Sequence, residues 1–212
     1  MIWTQIFMRT AFVFLVMMCM LANESDANTR AEWIQLNDGQ AMGEVRILET
    51  DGQRLYAGTN NGVFISLDDG YTWRSTEQLH PVSTIAISRD AVYAGTFFDG
   101  VFRSNSHGKT WQPKNNGIRL VDRGGKLGLP IIEQILVTSS GTVIAVAYHQ
   151  GTYISDNQGE TWHSIYDKWI YPGNKERNMP DWHFGDSIWS MTEFDGYWWA
   201  AYSNYLPPVP FP

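Results

Sequence analysis

Cysteine is almost missing from this chain: among 212 residues only Cys19 carries a thiol, so no intramolecular disulfide can brace the fold. With no cysteine cluster and no His-x-x-x-His pair, the usual metal-ligand spacings are absent, and neither a metal nor a cofactor is expected. Charge is sparse as well. Only 17% of residues are charged, the net is −7, and no long run of one sign occurs. An acidic chain without a basic stripe makes a poor nucleic-acid binder, and no nucleic acid is expected as a partner. Long apolar runs are lacking except for Ala11–Ala22, which is short for a bilayer crossing.

That run follows Arg9 and precedes the small residues Ser25 and Ala27, the layout of a secretory signal cleaved after Ala27. We expect residues 1–27 to be removed and residues 28–212 to be exported, to a periplasm or the cell exterior, as one repeat domain without a stable membrane span. Loss of one arginine and two acids moves the net charge from −7 to −6. Cys19 leaves with the signal, and Met18 before it is bulkier than the small residue that precedes an acylated lipoprotein cysteine. An apolar share of 43% is enough for a buried core without covalent staples.

What the chain does have is a repeat. The octet Ser66 to Trp73 (SLDDGYTW) returns as Ser104 to Trp111 (SNSHGKTW) and as Ser155 to Trp162 (SDNQGETW). Each residue type has a task in a tight hairpin. A short polar side chain (Asp68 or Asn157 among them) bonds turn N–H groups, Gly70, Gly108 and Gly159 take a positive φ, and Thr72-Trp73, Thr110-Trp111 and Thr161-Trp162 open the returning strand. Ahead of each octet stands a further matched stretch: Leu55-Tyr56-Ala57-Gly58-Thr59, Val92-Tyr93-Ala94-Gly95-Thr96 and Val143-Ile144-Ala145-Val146-Ala147. The spacing is 38 residues from Trp73 to Trp111 and 51 from Trp111 to Trp162.

Each unit reads as four short strands: an inner strand such as Val45–Thr50 or Thr84–Ser88, the Leu-Tyr-Ala-Gly-Thr strand, a Gly-Val-Phe-Ile-Ser strand, and one that opens at Thr-Trp. A unit of about 40–50 residues with four strands is a propeller blade. In these residues the chain, from about residue 32 to 202, resembles the Asp-box or BNR-repeat β-propellers, among them sialidases, some glycoside hydrolases, sortilin-type receptor domains and photosystem-II assembly factors. The implied fold is all-β, with three complete four-stranded blades and a partial fourth starting at Ile188–Glu193 and Trp198–Tyr202. It forms an incomplete or small propeller. Glu32-Trp33-Ile34-Gln35 is a detached strand suited to closing a ring, and the proline run Leu206–Pro212 cannot supply an inner ladder. Closure as a four-bladed ring, an open arc and a truncated product all remain open. An arc would expose blade edges and favour self-association.

Propeller topology separates the loops onto two faces. The octets share a face with the turns between first and second strands, and their residues are expected to be structural. The opposite face is the expected ligand face. It carries Asn60, Asn61, Phe98, Asp99, Tyr148, His149, Gln150 and Asn204, with the connectors Arg74–Val82, Gln112–Ile131 and His163–Ser187. Arg119, Arg123 and Lys126 surround Gly124-Gly125 in a flexible basic loop that could meet an anion or simply be solvated. His149 and Asp99 are neighbours across blades, suited to an acid/base pair or to half a metal site, though two residues are too few to define either. The aromatics Tyr166, Trp169, Tyr171, Trp182 and Phe184 serve either packing or sugar stacking. Catalytic residues cannot be assigned, because Val45-Arg46-Ile47-Leu48 is only a faint echo of the arginine motif of sialidases. The expected function is an exported module that binds a protein or carbohydrate partner, the alternatives being a fragment of a sialidase-like or other glycoside hydrolase, or a degraded gene.

Overall fold

A computed structural model describes residues 42–76, 79, 81–148, 150–164, 188–195 and 197–202. Residues 1–27, expected to be a signal, the stretch Glu32–Gln35, expected to be a closing strand, and His149, residues 165–187, Asn204 and Leu206–Pro212 lie outside the described residues. Among the described residues every regular element is a strand. The first blade is β1 (Val45–Thr50), β2 (Leu55–Thr59), β3 (Gly62–Ser66) and β4 (Arg74–Ser75), hydrogen-bonded in that order and antiparallel throughout. The second is β5 (Val82–Ile87), β6 (Val92–Thr96), β7 (Val101–Ser104) and β8 (Gln112–Pro113). A small hairpin, β9 (Val121–Asp122) with β10 (Leu127–Gly128), stands in the connector that the sequence suggested was a loop. The third blade is β11 (Ile132–Val137), β12 (Val143–Ala147), β13 (Gly151–Ser155) and β14 (His163–Ser164). Then β15 (Ile188–Phe194) and β16 (Tyr197–Tyr202) form two strands of a fourth.

The second strands explain why the blades stack. β6 and β12 are buried along their whole length, because a blade is covered on both faces by its neighbours. A strand in that position reads as small and apolar residues rather than alternating ones. Gly95 shows the tightness of the fit: a Cβ there would stand 2.6 Å from Thr84 Cγ2 and 2.7 Å from Ile132 Cγ2 of the next blade. Tyr56, Val63, Val82 and Ile85 make the core between the first two blades, and Tyr93, Val101, Ile132 and Ile135 the core between the second and third. Ile144, Val146 and Met191 continue it to the fourth. Each of these larger apolar side chains contributes about 1.5–3 kcal/mol by leaving water.

The octets are built alike at atomic level. The serine hydroxyl accepts the glycine N–H at 2.8 Å in all three, Gly70 to Ser66, Gly108 to Ser104 and Gly159 to Ser155. Two residues on, Asp68, Ser106 and Asn157 accept the N–H of Thr72, Thr110 and Thr161 at 2.8 or 2.9 Å. Each also bonds the threonine hydroxyl within 2.9 Å. Positive φ extends beyond the glycines to the residues ahead of them: Asp69 at 56°, His107 at 53° and Gln158 at 61°. With both central residues left-handed the turns have the type I′ form, whose twist matches that of a hairpin.

These turns also join the blades. The Trp162 indole N–H donates to Lys114 O of the preceding blade at 2.8 Å, and that of Trp111 reaches Thr76 Oγ1 at 3.3 Å. Trp73 instead donates to Gly70 O of its own turn at 2.9 Å. Glu160, in the third octet, is held by Lys114 and lies 3.7 Å from Arg103, both of the second blade. The Lys114 ammonium, opposed slightly by burial and helped by Arg103, keeps the Glu160 carboxyl below its usual range.

The first turn of the first blade holds a further network. Asp51 accepts the N–H groups of Gln53 (2.9 Å) and Arg54 (2.7 Å), the Arg54 guanidinium (2.9 Å) and the buried Tyr56 hydroxyl (2.9 Å). Burial alone would raise the Asp51 carboxyl, but these four donors outweigh it and bring the pKa down to about 2. Burial, then the Asp51 carboxylate, pushes the Tyr56 phenol up to about 12.

Two outcomes are expected. Gly108→Ala should cost more stability than Gly52→Ala in urea unfolding. Both glycines sit at positive φ (80° and 85°), but only at Gly108 would a Cβ come within 2.8 Å of Ile65, while Gly52 has open space. Asp51, with its folded pKa depressed, stabilises the protein above the unfolded value of about 3.9, and that contribution fades as pH falls towards 2. Asp51→Asn should therefore be less stable at pH 7 and lose less stability than the parent between pH 4 and 2, read from unfolding midpoints across that range.

Candidate functional site

The inner strands share an irregularity. The pairing of β1 skips a residue between Val45 and Ile47, that of β5 between Val82 and Thr84, that of β11 between Ile132 and Gln134, and that of β15 between Ile188 and Ser190. The skipped residues are Arg46, Ser83, Glu133 and Trp189. A bulge of this kind breaks the in-and-out alternation of a strand and re-aims one side chain. Three of the four, Arg46, Ser83 and Glu133, line one cleft of about 580 Å³ together with Glu44, Val45, Phe97, Ile131 and Tyr148.

The backbone around the cleft repeats from blade to blade. The residue after each second strand donates its N–H to the carbonyl just ahead of, or close before, the inner strand: Asn60 to Glu44 O at 3.1 Å, Phe97 to Pro81 O at 3.0 Å and Tyr148 to Ile131 O at 2.9 Å. These bonds tie the loops between second and third strands to the mouth of the inner strands. Side chains on this frame differ in each blade. The Arg46 guanidinium bonds Glu44 Oε2 at 3.0 Å and lies 4.7 Å from the Phe97 ring centroid. Ser83 Oγ is in hydrogen-bond reach of Gly95 O (3.0 Å) and of Ile132 O, so it stitches the second blade to the third. Tyr148 is 40% exposed.

Of the residues singled out from sequence for the ligand face, Tyr148 lines this cleft, whereas Asn60, Asn61, Asp99, Gln150, Arg123 and Lys126 are not among its lining residues. Asn60 Oδ1 accepts the Glu44 N–H at 3.0 Å, and the Asn61 N–H is held by Thr59 Oγ1 at 3.0 Å. Asp99 gives its N–H to Thr96 Oγ1 and its carbonyl to Asn115 Nδ2, both at 3.0 Å. The Gln150 N–H closes a turn on Ala147 O at 3.1 Å. Arg123 donates through Nη2 to Phe97 O (3.0 Å) and Leu129 O (2.5 Å), with its guanidinium 5.3 Å from the Phe98 ring. Its charge is thus occupied in holding the Phe97–Phe98 loop. Lys126 contributes its carbonyl to the same hairpin, 2.9 Å from the Arg123 N–H. Because His149 is outside the described residues, its pairing with Asp99 is too.

Glu44, Ser83 and Glu133 were not singled out. The available signal was a polar residue second in each inner strand, as in Val45-Arg46-Ile47, Val82-Ser83-Thr84 and Ile132-Glu133-Gln134, where an alternating strand would point it away from the cleft. The arrangement offers a guanidinium, two carboxylates, two hydroxyls and two aromatic rings. Its volume is that of a small-ligand site. Among the described residues no group of three or more His, Cys, Asp or Glu side chains is placed to hold a metal ion, and no helix is long and apolar enough to cross a membrane.

Comparison with known proteins agrees with the architecture. The model of the BNR/Asp-box repeat matches residues 153–164, the third octet and its flanking strands. The extracellular domain of a one-component system from B. thetaiotaomicron superposes over 74% of this chain and 20% of its own, at 15% identity and a TM-score of 0.51. Weaker likenesses are an ancestral GH74 enzyme (18% identity, TM-score 0.49, 65% of this chain and 20% of that one) and YCF48 bound to D1 peptide (13%, 0.44, 58% and 40%). This chain therefore spans 20–40% of the length of these structures. No curated protein matches it in sequence. The chain thus carries a BNR/Asp-box repeat in a fold built of β-propeller blades.

Proposed function

We propose that this protein is an exported binding module that takes a glycan or a short peptide segment of a partner protein into the cleft formed by the bulged inner strands. The observation that carries this reading is the convergence of Arg46, Ser83 and Glu133, one bulged residue from each complete blade, on a single cleft. The scaffold around them is repeated, while their chemistry differs from blade to blade. Such a division suits recognition: the hydrogen-bonded frame fixes position, and the variable side chains read the ligand. Phe97 and Tyr148 supply faces for a sugar ring or an apolar side chain, and Arg46 and Glu133 supply opposite charges.

A second reading rests on Glu44 and Glu133, two carboxylates on one cleft, as a glycoside hydrolase requires. It makes the chain part of a larger enzyme. The two readings separate in one experiment on the secreted protein, a glycan and peptide array run beside a panel of aryl glycosides. Binding without turnover, weakened about tenfold or more by Phe97→Ala or Glu133→Ala, supports the module. Turnover that disappears in Glu44→Gln and Glu133→Gln supports the enzyme. Binding that both cleft alanine variants leave unchanged overturns the placement of the site.

A further inference from the structure

The opposite face contains a second recess, and the repeat supplies its own comparison. Tyr56 of β2 and Tyr93 of β6 occupy matching positions, and both are buried. The turns ahead of them have one backbone form: the Asp51 N–H donates to Arg54 O, and the Ser88 N–H donates to Ala91 O. In the first blade Asp51 fills the turn with a carboxylate that receives the Tyr56 hydroxyl at 2.9 Å. In the second blade Ser88 stands in that place, its hydroxyl spent on Ala91 at 3.0 Å. No carboxylate of this turn meets Tyr93.

A cation stands there instead. Tyr56 pairs with Ile65 across the strands, whereas Tyr93 pairs with Arg103. The Arg103 side chain is only 11% exposed. It reaches the third octet, where Gln158 Oε1 accepts from Nη2 and Glu160 lies 3.7 Å from Nη1. Its Nε–H is buried without a partner. Where the first blade has its carboxylate, the second opens into a groove of about 340 Å³ lined by Ser88, Arg89, Asp90, Tyr93, Thr138 and Gln158 among others.

We propose that this groove binds a carboxylate, which takes the place relative to Tyr93 that Asp51 takes relative to Tyr56. The Tyr93 hydroxyl and the Gln158 amide receive it, Arg89 stands at the rim, and Arg103 behind them supplies positive potential in a poorly hydrated setting. Asp90 at the rim and Glu160 beyond Arg103 limit the charge that is welcome, so one carboxylate fits and a polyanion does not. This site lies on the octet face and does not depend on the ligand of the loop-face cleft.

The test is a titration of the full mature chain with acetate and with N-acetylglycine, using sodium sulfate at equal ionic strength as the control, followed by amide shifts of Ser88, Arg89, Ser139 and Gln158. Saturable shifts with the carboxylates and none with sulfate are expected. Tighter binding of N-acetylglycine would identify a chain terminus as the source, and tighter binding of acetate a free acid. Ser88→Asp, which supplies the carboxylate within the chain, should abolish the shifts and raise Tm. Tyr93→Phe, which keeps the ring in the core, should weaken binding about tenfold, the loss of one charge-assisted hydrogen bond. The absence of saturable shifts, equal response to sulfate, shifts that persist in Ser88→Asp, or affinity that Tyr93→Phe leaves unchanged overturns the proposal.

Discussion

One hydrogen bond recurs with the same length in every complete blade: a glycine N–H on the hydroxyl of the serine that ends the third strand, at 2.8 Å. Those serines are buried, so the alternative to this bond is an unsatisfied donor and acceptor in the core. It closes the turn and thereby fixes where the tryptophan after it leaves. In the second and third blades that tryptophan reaches back to a preceding blade. Turn geometry thus sets the spacing between wedges, and the wedges in turn bring the mouths of β1, β5 and β11 together at one cleft.

The architecture was readable in the sequence because its signals are local. A serine, a short polar residue, a glycine and a Thr-Trp pair lie within eight positions, and their bonds to one another need no distant partner. The Tyr-Ala-Gly-Thr strand was equally plain, since a strand covered on both faces leaves a run of small and apolar residues. Val146, where the other blades have Gly58 and Gly95, is the departure. It packs towards Met191, so a branched side chain is accommodated at the third-to-fourth blade contact.

The site was less legible, for two physical reasons. Strand reading counts by twos, and a bulge shifts the count, so Arg46, Ser83 and Glu133 present themselves on a face that alternation does not assign to them. The second reason is range. Arg123 has the composition of a free basic loop, but its guanidinium is satisfied by carbonyls of Phe97 and Leu129, the former 26 residues away. No window of sequence contains that contact. Asn60 likewise has the look of a loop-tip ligand, while its amide oxygen belongs to the Glu44 N–H.

The polar residue of the octet also differs between blades. Asp68 occupies the first, Ser106 the second and Asn157 the third, and only the aspartate titrates. Its carboxyl is held low by the Thr72 hydroxyl and N–H and by Ser66. The first-to-second-strand turns follow the same order, with Asp51, Ser88 and Thr138 in matching places. Protonation therefore loosens the two turns of the first blade held by Asp51 and Asp68, whereas in the second and third blades the carboxylate that acid releases is Glu160, whose partners Lys114 and Arg103 belong to the neighbouring wedge.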